Sequence, residues 1–165
     1  MTHFIYDREK AIEAILYIAP KLKKADLHSV FKVMYFADRK HLAKYGRPVL
    51  GDTYVKMGDG PVPSRIYDTC KESRDNKIGI DKKFKVDNFT IIPLATSNND
   101  YFSESDIECL DNAINLIYPL NYRQRKELSH DFAYHNTRRY IDVIDMAKSE
   151  EVGEDVIEYI TSNID

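Results

Sequence analysis

Cysteine is scarce in this chain: Cys70 and Cys109 are the only two among 165 residues. They lie far apart, form no CxxC pair, and each sits within an apolar helical pattern. A zinc ribbon and a thioredoxin-type site are therefore excluded on ligand count, and both thiols are expected as reduced core residues. Charge of one sign is also lacking. With 24 basic and 27 acidic residues the formal net charge is −3, a field too weak to draw the chain to phosphates or anionic lipid, so nucleic acid is not the expected partner. No hydrophobic run approaches the roughly 20 residues that cross a bilayer. The opening MTHFIYDREK has no basic segment followed by an apolar one, so the protein is expected to stay in the cytoplasm. There is no internal repeat and no low-complexity segment. Tryptophan is absent, which leaves the aromatic load to 12 tyrosines and 7 phenylalanines. Tyrosine joins apolar area to a polar tip and serves either half-buried helix packing or a protein-binding surface.

What is present suffices for one core: 43% of the residues are hydrophobic, and residues 1–165 read as a single domain. A first helix is expected from a cap at Asp7 to Ala19, stopped by Pro20. A second, the strongest, runs from Asp26 to Tyr45, with Leu27, Val30, Phe31, Met34, Ala37, His41 and Leu42 on one stripe and Gly46 as terminator. TYVKM (53–57) alternates as a strand beside an Asp59-Gly60 turn. FKVDNFTII (84–92) reads as a hairpin about Asp87-Asn88, ended by Pro93. Ser105 and Glu108 are expected to form a capping box for a helix carrying Ile107, Leu110, Ile114 and Ile117 and closed by Pro119. Helices from about Tyr122 to Phe132 and Asn136 to Lys148, and a last one holding Val156, Ile157, Ile160 and Ile164, complete the chain. The fold class is α+β: mainly helical, with a small two- or three-stranded antiparallel sheet.

GDGPVPSRIYD (58–68) stands out. Pro61 and Pro63 each fix a backbone torsion and push the preceding residue towards an extended conformation, while Ser64 is placed to cap a helix bearing Ile66, Tyr67 and Cys70. The stretch is expected to link the sheet rigidly to that helix. Asp38 and His41, three apart on the second helix, can meet, either as a base- or metal-orienting pair or as a structural one. A metal needs further ligands, and the five-residue spacing of His130 and His135 puts them on different helix faces; no metal and no cofactor are expected. SVFK (29–32) has Ser-x-x-Lys spacing without the accompanying acyl-enzyme elements, and Gly58 and Gly60 fit no phosphate loop. RQRK (123–126) and Arg138-Arg139 read as solvated helix faces. LSHDF (128–132) brings His130 to a helix junction, as a polar latch or as a binding element.

MYFADRKHLAKYGRPVLGDTYVKMGDGPVPSRIYD (34–68) resembles the signature of the Panacea, or SocA-like, antitoxin domain, a family also met as GepA-like phage-associated proteins. The likeness runs through Tyr-Phe-Ala-Asp, a histidine three residues on, Gly-Arg-Pro, Gly-Asp-x-Tyr, Gly-Pro-Val-Pro-Ser and Ile-Tyr-Asp. LSHDF resembles the family's later Leu-Ser-His element; where the family has a tryptophan shortly after it, this chain has Tyr134 as the nearest aromatic. The resemblance implies a mainly helical, non-enzymatic antitoxin of a type II toxin–antitoxin or phage-defence module, which binds a cognate protein toxin. Some members act instead as adaptors delivering a toxin to a ClpXP-type protease, and a homo-oligomer is compatible with either role. No helix-turn-helix domain of the kind some members carry is expected within these residues. In this reading Tyr35, Asp52, Tyr54, Pro61, Pro63 and Tyr67 shape a preset surface, Asp38 and His41 fix it from below, and His130 belongs to the later element. The enzymatic alternative is a hydrolase using Asp38, His41, Asp52 and His130.

Overall fold

The computed structural model describes residues 4–75 and 82–164. Its elements follow in the order α1 (Arg8–Ile18), a 3-10 turn (Ala19–Lys21), α2 (Leu27–Tyr45), β1 (Tyr54–Met57), β2 (Gly60–Pro63), α3 (Ser64–Asp75), β3 (Phe84–Asp87), β4 (Thr90–Pro93), a second 3-10 turn (Asn99–Tyr101), α4 (Glu104–Ile117), α5 (Tyr122–Ser129), α6 (Phe132–His135), α7 (Val143–Lys148) and α8 (Glu154–Ser162). The architecture is α+β and mainly helical.

α2 is the axis. Asp26 caps it by accepting the Ser29 amide, and Gly46, at φ 78°, closes it in the left-handed conformation. Every residue from Ser29 to Asp38 is buried, so this helix is covered all round. It packs against α4, α7, β2, α5 and α8. The apolar cluster around it reaches from Ala11 in α1 to Ile160 in α8, and Cys70 and Cys109 are free, buried members of it. α1 begins at its Asp7 cap as expected, and Pro20 sits in a 3-10 turn rather than at a sharp stop.

The expected small sheet consists of two separate antiparallel pairs, β1–β2 and β3–β4. The proline-rich stretch is itself a strand: Tyr54 pairs with Pro63, Val55 with Val62, Lys56 with Pro61 and Met57 with Gly60. A strand tolerates prolines at alternate positions when their missing N–H groups face away from the partner. That is the case here, since Pro61 turns its carbonyl outward to the Lys32 ammonium (2.9 Å). The other edge of β1 is covered as well, with the Lys56 amide donating to Arg139 O (2.7 Å) and the Ile141 amide to Tyr54 O (2.9 Å). β4 is tied to the start of α2, through the Leu27 amide to Phe89 O (2.9 Å) and the Ile91 amide to Ala25 O (2.8 Å).

Local boundaries shift where the chain offers competing caps. Ser103 with Asp106, not Ser105 with Glu108, forms the capping box of α4. The hairpin turns are Gly58-Asp59 and Asn88-Phe89, with Asn88 at φ 58°, each one residue from the expected pair. The expected Tyr122–Phe132 helix ends at Ser129 because Asp131 caps the new turn α6. Most of the expected 136–148 helix is loop, because Asp142 caps α7.

Gly60 lies at φ 120°, where side chains are strained, and a Cβ there would overlap Ser129 Oγ and Lys32 Cε. Gly60→Ala is therefore expected to lower stability by about 2 kcal/mol or more in urea unfolding; an unchanged midpoint would contradict this account of the hairpin.

Candidate partner-binding site

The signature residues converge on a buried carboxylate. Asp38 is 1% exposed on α2. Its Oδ1 accepts the amides of Val49 (2.8 Å) and Leu50 (3.0 Å), and its Oδ2 accepts the Tyr54 hydroxyl (2.7 Å). Burial pushes this carboxyl up to about 6, opposed by those three donors. The loop after α2 and the start of β1 are thus pinned to the helix. The Tyr54 ring meets Tyr35 edge-on, with centroids 5.2 Å apart, and the Tyr35 hydroxyl donates to Asp131 Oδ2 (2.7 Å). Arg39 also donates to Asp131 (3.0 Å) and to Glu150 (3.0 Å). Asp131 in turn caps α6 through the Tyr134 amide, so the later motif is joined to the earlier one through side chains.

Asp52 does the work expected of Ser64: its carboxylate accepts the Arg65 and Ile66 amides (both 3.0 Å) and that of Thr53 (2.8 Å), capping α3 from twelve residues before its first turn. Asp38, Asp52 and Tyr54 line a cavity of about 20 Å³, room for about one water molecule and no substrate. Asp38 and His41 do not pair with each other. His41, fully buried, donates from Nδ1 to Arg47 O (2.6 Å) and accepts Ser105 Oγ at Nε2 (2.9 Å), and burial lowers its pKa. His130 stacks flat on Tyr134, with centroids 4.1 Å apart. Among the described residues no hydrogen bond or ion pair joins any two of Asp38, His41, Asp52 and His130, and no three His, Cys, Asp or Glu side chains are arranged to hold a metal.

Beside this framework lies a groove of about 860 Å³, walled by the start of α2, the tip of the β1–β2 hairpin, Phe89 and the α4–α5 connection. The signature stretch supplies Met57, Gly58, Asp59 and Val62 to its wall, but of the candidate site residues named from the sequence only Tyr67, packed against Phe31 with centroids 5.7 Å apart, reaches it. The floor is held by His28, which donates from Nε2 to Asp59 O (3.0 Å), accepts Arg125 Nε at Nδ1 (3.1 Å) and stacks on Tyr122 at 4.1 Å. Burial, with Lys32 nearby, lowers its pKa to about 4, so the ring is neutral and both nitrogens are committed. Sequence reasoning missed this groove. Its only linear signals are bulky apolar residues at turns, Phe89 in a hairpin and Tyr118 before Pro119.

The molecule is thus a helical framework whose signature polar groups face inward to hold backbone, beside an open apolar cleft. Residues 30–134 match the model of the family described as Antitoxin SocA-like, Panacea domain, and the chain belongs to that family. No curated protein matches it, and no solved structure does.

Lys32, 1% exposed, carries a pH signature. Burial lowers its ammonium pKa to about 7, while in the unfolded chain it stays near 10.5. Between these values the unfolded state binds more protons, so stability rises with pH. From pH 7 to about 8.5 the rise is expected to be roughly 1–2 kcal/mol and to vanish in Lys32→Met, measured by urea unfolding at each pH. A slope that persists in the variant would assign it to another group.

Proposed function

We propose that this chain is a single-domain antitoxin that neutralises a cognate protein toxin by binding it directly. Membership of the SocA-like Panacea family over residues 30–134 carries the reading. The geometry supports it in one respect: the polar signature side chains are spent on holding loops and helix ends. Asp38 holds the 49–50 backbone, Asp52 holds the start of α3, and His41 bridges Arg47 to Ser105. A surface so constrained meets its partner with its ordering cost already met in folding, which favours binding without rearrangement. Pro61 and Pro63 contribute by fixing β2 between β1 and α2.

Co-expression with the protein encoded beside it is expected to restore growth of cells poisoned by that protein. Co-purification from the rescued cells is expected to yield a stable complex of the two. Rescue without a complex, with the toxin vanishing only where a ClpXP-type protease is present, would replace neutralisation by delivery to the protease. Absence of both rescue and complex would refute the antitoxin role.

A further inference from the structure

The groove beside the signature framework has a charge pattern that selects its occupant. Most charged groups in its wall are already neutralised. Asp26 is taken by the Ser29 amide and by Arg125 at 3.6 Å. Asp59 is taken by Lys126 at 3.4 Å and by the Tyr122 hydroxyl. Arg125 is further bonded to Leu120 O (3.0 Å). Lys23 and Lys24 remain: among the described residues neither has a carboxylate partner, and Lys23 rests only over the Tyr118 ring at 5.0 Å. The wall at Lys23 and Lys24, beside Tyr118, is therefore positively charged in an otherwise mostly apolar groove. Both lysines precede residue 30, so this charge lies outside the segment that matches the family.

The rim identifies the kind of molecule. Phe89 (59% exposed), Tyr122 (47%), Tyr118 (45%) and Met57 (45%) stand around the mouth. A small ligand enclosed in the groove would leave these side chains in water, whereas a polypeptide crossing it covers them. Aromatic residues and methionine at the edge of a deep apolar cleft are also the usual material of protein–protein anchor points.

We infer that the groove seats a segment of the toxin that carries bulky apolar side chains and, at the end lying against Lys23 and Lys24, at least one carboxylate. This deepens the antitoxin reading and rests on it. The apolar side chains fill the space between Phe31, Val62 and Ile117, and the carboxylate supplies the counter-charge that the wall lacks. The two lysines, being exposed and at the rim, govern the rate of encounter and the choice of partner more than the depth of binding.

The test uses the full chain and the protein encoded by the neighbouring gene, rendered inactive so that it can be purified. Titration is expected to give roughly tenfold or greater weakening for the Lys23→Glu, Lys24→Glu double variant and about a hundredfold for Phe89→Asp with Tyr118→Asp. All four positions are solvent-facing, and unchanged thermal unfolding verifies the fold. Independently of any loss of binding, a photo-crosslinking amino acid at Phe89 or Tyr118 is expected to capture one toxin peptide rich in bulky apolar residues and containing Asp or Glu. The same probe at Tyr159, on α8 outside the groove, is expected to capture none. Wild-type affinity in both variants, or crosslinks from Tyr159 alone, would overturn the groove while leaving the antitoxin role standing. Crosslinks from Phe89 to a second copy of this chain would overturn it in favour of self-association. Failure of the wild-type chain both to bind the neighbouring protein and to rescue growth would remove the antitoxin role and the assigned occupant together.

Discussion

One buried carboxylate organises the molecule. Asp38 sits on a helix covered on all sides and accepts two backbone amides and a phenol. Burying an ionisable group is costly unless its acceptor sites are filled, and here they are filled by groups that themselves need partners. The consequence is geometric: residues 49 and 50 cannot leave α2, and Tyr54 is held where its ring meets Tyr35. From there the constraint passes to Asp131, and through Arg39 to Glu150. Networks of this kind are worth more than the sum of their pairs because removing one member orphans the rest. Asp52 continues the same logic into α3 by capping it through the Arg65 and Ile66 amides.

The helices that carry their own punctuation were legible in the sequence. α1 and α2 begin at Asp7 and Asp26 and α2 ends at Gly46 because each signal is local and unopposed. Where several small polar residues compete, as at Ser103 and Ser105, spacing alone does not choose. Ser103 wins the cap, while Ser105 is drawn to His41 on another element. β2 was not legible because two prolines in four residues argue against a strand, and only their alternation, read against the partner, restores one. The Asp38–His41 spacing suggested a pair; tertiary partners on the 47–50 loop and α4 separated them.

The candidate site divides along the same line. The motif identified the family and located the framework, since Tyr35, Asp38 and Tyr54 come together and Asp52 adjoins them. The groove is assembled from four distant stretches of chain and has no linear signature, so it emerges only in three dimensions. Its base is as tightly committed as the framework, through His28, Asp59 and Arg125. Its rim is open and sets exposed apolar side chains beside Lys23 and Lys24. The two are separate: inward residues keep the shape, and the surface around the groove can vary without disturbing them.

Preorganisation of the framework is tested most directly by hydrogen exchange of the chain with and without the proposed toxin partner. The account predicts that the amides of Val49, Leu50, Arg65 and Ile66 are strongly protected in the free protein and unchanged on binding, with new protection confined to residues around the groove. Amides in the 49–66 segment that exchange freely until the toxin arrives would contradict it.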